Sequence, residues 1–287
     1  MNCIFCQQES SNSKSIEHII PESLGNKHHI LWKGAVCDKC NNYFATKIEK
    51  ELLEQPYFIN MRFRNEIKTK KDRYVKNKVL VLDKKNGFIN AFFQNTDCGM
   101  SICFENEINN KIKKGKIIMP NISEPEINNK IMSRFLVKCA LEYLLYNLGF
   151  DYHIFIQEKQ FDSLRKYARY GEGEFWQYTQ RRIYSEGNYF TSSECYKPYE
   201  ILHEMDLLVT DSEKISDNII CSYIYFVIVI MGIEYVISFV EPEINGYLEW
   251  LKLNNNKYPI HIINEKMLDI GMYDVNPLLI KTDTKCL

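Results

Sequence analysis

Three things are scarce in this sequence, and each scarcity closes off a class of protein. There is no apolar run of the roughly 20 residues that a membrane span requires. The nearest, Ile219 to Ile233, is shorter and crowded with Ile, Val, Tyr and Phe, which favour pleated sheet. With Met231-Gly232 between FVIVI and IEYVISFV, it reads as a buried β-hairpin, and no membrane is expected among the partners. Residues 1–20 hold no apolar stretch between a basic start and a small-residue cleavage site, so the expectation is a cytoplasmic protein with reduced thiols. Net charge is the third scarcity, at -1. Its distribution is uneven: residues 61–120 carry 14 Lys and Arg against 6 Asp and Glu, whereas residues 200–287 carry 6 against 14. A basic middle and an acidic end suit one face that meets a polyanion and another that does not; an unevenly charged solvated surface gives the same count.

What is present is enough apolar material for packed cores. At 45% hydrophobic and 25% charged residues over 287 positions, the composition is that of an ordered soluble chain with room for two domains. The pattern predicts a helix over about Asp38–Leu53, closed by Pro56. A hairpin follows, from the VLVLD run of Val79–Asp83 through Lys84-Lys85-Asn86-Gly87 to FINAFF. Ile131–Leu148 reads as a central helix, apolar on most faces and stopped by Gly149. Further helices are expected near Gln160–Tyr170 and Glu243–Leu253. The two pairs Cys3-x-x-Cys6 and Cys37-x-x-Cys40 have the spacing of zinc ligands. The fold class expected is therefore α+β, a small zinc-stabilised ββα unit over residues 1–56 followed by a larger α+β domain over 57–287. The sequence shows no internal repeat, no phosphate-cradling glycine loop and no nucleophile elbow.

Chemistry concentrates at the N-terminus. Cys3-x-x-Cys6 and Cys37-x-x-Cys40 form two knuckles 30 residues apart, and four thiolates so spaced suit a closed tetrahedral Zn²⁺ site. A unit of about 50 residues buries too little apolar surface to hold itself together, and zinc supplies the difference. A zinc closed by four thiolates has no open position, so any catalysis must come from other residues. Between the knuckles stands Glu17-His18-Ile19-Ile20-Pro21, then Ser23-Leu24-Gly25; directly after Cys40 come Asn41 and Asn42.

In these segments, CIFC, EHIIPESLG and VCDKCN, the chain resembles the HNH endonuclease superfamily, in particular members whose ββα-metal motif surrounds a four-cysteine zinc. The resemblance covers about residues 1–55. It implies hydrolysis of phosphodiester bonds in DNA, with His18 as the general base, and with Glu17 and Asn41 as ligands of one catalytic divalent metal, Mg²⁺ or Mn²⁺. Glu17 stands where many members carry Asp. The middle position of the motif falls on one of Asn26, His28, His29 or Asn42, and Glu49 is a candidate supporting ligand.

Lys39, Asn42, Arg62, Arg64, Lys68, Lys70, Lys71 and Arg73 are the candidate nucleic-acid contacts, with Lys111, Lys113, Lys114 and Lys116 as a second basic cluster. A lysine-protected strand edge has the same composition. No base-reading element accompanies them, so weak sequence preference is expected. Residues 57–287 are expected to bind a partner protein, an activating ligand or a second copy of the chain, since one head cuts one strand. By analogy, the architecture resembles effectors of anti-phage defence or of mobile elements. Two alternatives stay open: a zinc-containing nucleic-acid-binding module that does not cut, and a nuclease acting on RNA.

Overall fold

The computed structural model describes residues 1–96, 99–104, 115–119, 124–149, 157–184, 199–210, 213–216, 219–221, 223–260 and 283–286. Helices and antiparallel sheets are both present, as the α+β expectation required. The chain gathers into two compact units: residues 1–21, 26–49 and 127–287 form the first, and residues 22–25 and 50–126 the second.

In the first unit, Glu17–Ile19 and His29–Leu31 run antiparallel as a minimal ladder. Leu31 N donates to Glu17 O at 2.9 Å and Ile19 N to His29 O at 3.1 Å, with His18 opposite Ile30. Helix α1 (Asp38–Phe44) completes the expected ββα arrangement. Its N-terminal residue is capped by Cys37, whose Sγ accepts from Cys40 N. The helix continues through a widened π turn (Ala45–Glu49) into α2 (Lys50–Leu53), and the line between the units falls at the end of that turn.

The central helix, α4 (Lys130–Leu148), begins at Asn129, whose side chain accepts from Ile131 N and Met132 N, and every residue from Met132 to Leu145 is buried. It covers one face of a five-stranded antiparallel sheet. The strands are β5 (Tyr178–Arg182), β6 (Tyr199–Val209), β9 (Ile224–Ile230), β10 (Ile233–Ser238) and β11 (Asp283–Cys286), in the order β11-β6-β9-β10-β5. On this side Tyr143 packs on Phe226 and donates to Met205 O at 2.7 Å. The helix Asn245–Leu253, here α6, lies on the other face, where Tyr247 and Leu251 join Tyr225, Val227, Val229 and Val236. Both faces of β9 are covered, so its run is apolar at every position instead of alternating. The apolar stretch at Ile219–Ile233 thus belongs to a sheet core, and no helix among the described residues is long and apolar enough to cross a membrane. Met231 (φ 49°) and Gly232 (φ 85°) make the expected two-residue turn; a Cβ on Gly232 would meet Tyr184 O at 2.6 Å. Helix α5 (Asp162–Tyr170) packs on α4. Strands β7 (Glu213–Ser216) and β8 (Ile219–Cys221) form a separate ribbon.

The second unit is a four-stranded antiparallel sheet of β1 (Lys76–Asp83), β2 (Gly87–Thr96), β3 (Gly99–Phe104) and β4 (Lys116–Ile118), in the order β3-β2-β1-β4. The expected turn at 84–87 joins β1 to β2, held by Asp83, which accepts from the backbone of Lys85 and Asn86. Helix α3 (Pro56–Arg64) packs on it: Phe63 stacks on Phe93, and Asn95 donates to Phe63 O at 2.8 Å.

One carboxylate in the first unit makes a pH prediction. Burial beside Tyr143 raises Asp206 to about 6, with the hydrogen bond from Leu207 N opposing. The folded value lies above the unfolded one, about 3.9, so the native state binds the proton more tightly. The group's contribution is fully present below pH 4 and lost as the pH rises through 6, by about 2–3 kcal/mol. Asp206→Asn is therefore expected to melt above the wild type at pH 8, with the difference fading by pH 4, as read by thermal unfolding across pH.

Candidate active site

The four knuckle cysteines converge. The Sγ atoms of Cys3, Cys6, Cys37 and Cys40 lie within 4.8 Å of one another, and Cys6 and Cys37 approach to 3.6 Å. Tetrahedral zinc with bonds of about 2.3 Å sets sulfur–sulfur separations of about 3.8 Å, so the donor set fits Zn²⁺. The thiol acidities express the same crowding. A hydrogen bond from Cys40 lowers Cys3 to about 5; burial pushes Cys6 up to about 11; and Cys40, whose proton serves Cys3, is pushed up as well. Four thiolates at this spacing repel one another until a cation joins them. Arg169 of α5 donates from Nε to Cys40 Sγ at 3.3 Å while its guanidinium lies 3.7 Å over the Tyr43 ring. Arg134 of α4 reaches the Tyr43 hydroxyl at 2.8 Å. The knuckle is thus gripped from α4 and α5, elements outside the cysteine-rich segment.

The Glu17–Ile19 strand lies beside this framework. Asn41 Nδ2, at the start of α1, donates to Ile16 O at 3.2 Å and so ties the helix to the strand next to Glu17. Side chains alternate along a strand, and here Glu17 and Ile19 turn inward while His18 is half-buried on the opposite side. Asn26 is the residue that the sequence left among four candidates. It is fully buried, donates to Ile20 O at 2.7 Å and His29 O at 3.0 Å, and accepts from the backbone of His28 and His29. Its role is to clip the loop between the two strands, which uses all of its amide capacity. His28 is exposed; His29 is buried, edge-on to Tyr146. Glu49 and Glu17 are both buried, and both contact one group that the sequence reading passed over.

That group is Lys138. Fully buried in the middle of α4, its Nζ lies 2.7 Å from Glu17 Oε1, 3.1 Å from Glu49 Oε1 and 3.0 Å from Glu142 Oε2. It also donates to His18 O at 3.1 Å and Ile19 O at 3.3 Å. Burial alone would lower its pKa, but the carboxylates of Glu142, Glu17 and Glu49 outweigh burial and hold it well above the usual lysine value. Burial pushes the Glu142 carboxyl well up. The available signal was the spacing of Arg134, Lys138 and Glu142, at i, i+4 and i+8, one polar stripe on an otherwise apolar helix.

The candidate nucleic-acid contacts divide. Lys39 and Asn42, on α1, are exposed. A cleft of about 480 Å³ beside the cysteines is lined in part by Lys39, Asp38, Arg169 and Tyr170; neither Glu17 nor His18 lines it. In the second unit Lys70, Lys71 and Arg73 are exposed and Arg64 is half-buried. Lys68 is paired with Asp72 at 3.1 Å and lies over the Tyr74 ring. Arg62 is only 7% exposed, and burial lowers its pKa, so little of its side chain is offered to solvent. Lys116 is exposed; Lys111, Lys113 and Lys114 lie outside the described residues.

With this geometry in place, comparison with known families bears on one segment. Residues 3–57 match the HNH endonuclease family. The match covers both cysteine pairs, Glu17, His18 and Asn41, and supports a nuclease of the HNH type acting on nucleic acid with divalent metal. No curated protein and no solved structure matches the chain. Among the described residues, the four cysteines are the only group of three or more His, Cys, Asp or Glu side chains placed to hold a metal together.

Metal analysis of the purified protein is expected to give one zinc per chain. Cys37→Ser is expected to lose that equivalent and lower the melting temperature, because zinc contributes on the order of 10 kcal/mol of folding free energy to small knuckle units.

Proposed function

We propose that the chain is a metal-dependent HNH endonuclease that hydrolyses phosphodiester bonds in DNA. The observation that carries this reading is the hydrogen bond from Asn41 to Ile16 O, which ties the start of α1 to the segment leading into Glu17 and His18, within a ββα unit that holds four converging cysteines. His18 is the general base. Half-buried, it stays in reach of solvent, and an imidazole is largely neutral at physiological pH. It takes the proton from a water attacking phosphorus in line with the leaving 3′-oxygen, which gives a 5′-phosphate and a 3′-hydroxyl. Asn41 spends its amide nitrogen on Ile16 O, so its oxygen is the atom to offer a hard cation. Glu17 would be the acidic ligand of the divalent metal, its carboxylate oriented by the Lys138 ammonium on Oε1. Mg²⁺ or Mn²⁺, when bound, supplies charge stabilisation at the phosphate and the leaving oxygen. Few protein ligands suffice, since Mg²⁺ keeps waters and takes phosphate oxygens.

The exposed Lys39, Lys70, Lys71 and Arg73 are the phosphate contacts in this reading. Residues 57–287 recognise a partner, an activating ligand or a second copy, as suits an anti-phage effector held inactive until triggered. The ion pair of Glu17 with Lys138 favours one rival, a zinc-containing nucleic-acid-binding module that does not cut.

Supercoiled plasmid with Mg²⁺ or Mn²⁺ separates the two. Nicking is expected that EDTA abolishes and that His18→Ala reduces by about 10²–10⁴-fold, the usual contribution of a general base. Binding without nicking in either protein, with every metal and activator tried, would favour the module.

A further inference from the structure

The match to the HNH family covers residues 3–57, yet a fully buried side chain that engages its strand comes from residue 138. We propose that Lys138 is a positioning residue of the nuclease site: its buried ammonium fixes the Glu17–Ile19 strand and aims the Glu17 carboxylate, so that α4 supplies a part of the active site that the motif itself lacks. The inference rests on the nuclease reading for its catalytic consequence, and on geometry alone for the hold on the strand.

Two independent sets of contacts carry it. The first is ionic. Lys138 Nζ is the common partner of Glu17, Glu49 and Glu142, at 2.7 to 3.1 Å, and no part of its side chain reaches solvent. An ammonium in such a place is retained only by its partners, because a buried charge without them is strongly penalised. The second set is neutral and falls on the backbone. Nζ donates to the carbonyls of His18 and Ile19, and Cys139 Sγ donates to Ile19 O at 3.1 Å. Helix and strand are therefore joined at three successive residues, 17, 18 and 19, and His18 is the middle one. Its backbone is held from behind by α4 while its side chain lies on the other side of the strand.

Charge counting explains why the position calls for lysine. Glu17 and Glu49 come from the motif segment, and two buried carboxylates with no cation between them would repel. A neutral side chain of similar length at 138 would fill the space but remove the common partner. Glu142 Oε1 is buried with no hydrogen-bond partner among the described residues, and Glu142 lies on the same helix as Lys138, so of the three partners Glu17 and Glu49 are the ones that tie the ammonium to the motif segment.

The test uses the full-length zinc protein and the variants Lys138→Met, Lys138→Gln and Glu142→Gln. Cobalt substituted at the four cysteines gives a thiolate absorption band that reports whether the knuckle is intact. Two further readings then bear on the proposal. Backbone hydrogen exchange over residues 16–31 is expected to accelerate in Lys138→Met with the cobalt band retained, and to stay close to wild type in Glu142→Gln. Plasmid nicking by Lys138→Met is expected to lose about 100-fold in kcat with little change in KM, as for a group displaced by about 1 Å. Lys138→Arg, which keeps the charge and the donors, is expected to recover part of that loss. If the methionine variant loses the cobalt band, Lys138→Gln, which keeps an N–H donor without charge, carries both readings. Unchanged exchange over 16–31, or nicking equal to wild type, would overturn the proposal. A wild-type protein that never nicks would remove the nuclease reading, and with it the catalytic consequence; exchange would still decide whether Lys138 holds the strand.

Discussion

A single ammonium group, fully buried and shared by three carboxylates, is the constraint around which the first unit is arranged. Lys138 reaches from the middle of α4 to Glu17 and Glu49 in the N-terminal segment and to Glu142 one turn along its own helix. Removing one partner from a buried ion pair costs about 3–5 kcal/mol, because the charge left behind has no water to turn to. The arrangement therefore fixes where α4 meets the strand that carries His18, since either side left without the other would be a buried unpaired charge. Arg134, one turn earlier, and Arg169 do the same for the knuckle through Tyr43 and Cys40. The ββα unit so held would be too small to persist alone, and it shares a core with residues 127–287.

This packing sets how much could be read without coordinates. Local signals came through. The two C-x-x-C pairs converge on one site, the helix begins at Asp38, and Met231-Gly232 turns the apolar hairpin. Each depends on residues adjacent in sequence, where turn chemistry and ligand spacing act directly. The central helix Lys130–Leu148 was legible for the same reason, with Gly149 at its end.

What escaped was long-range. Ile131–Leu148 looks apolar on most faces, and the partners that make Lys138 tolerable lie about 120 residues away at Glu17, His18 and Ile19. Nothing local says that a lysine on such a helix is buried and not snorkelling to solvent. Asn26 escaped for a different reason: an asparagine in a loop reads equally as ligand, turn former or clip, and only its four hydrogen bonds decide. Arg62 sits in a basic stretch expected to meet nucleic acid, but it is buried. The compact units also cut the chain differently from a division at residue 56, because the strand and helix of the motif pack with elements far along the sequence.

The central proposal is that Lys138 is the fixed cation of the site, with Glu17 and Asn41 as the residues that would hold the catalytic metal. Anomalous scattering from crystals grown with Mn²⁺, recorded at the zinc and manganese edges, tests it most directly. The account predicts zinc among Cys3, Cys6, Cys37 and Cys40, manganese between Glu17 and Asn41, and the Lys138 ammonium still on Glu17 Oε1. Manganese in the place of that ammonium, among Glu17, Glu49 and Glu142 with Lys138 turned away, would contradict it.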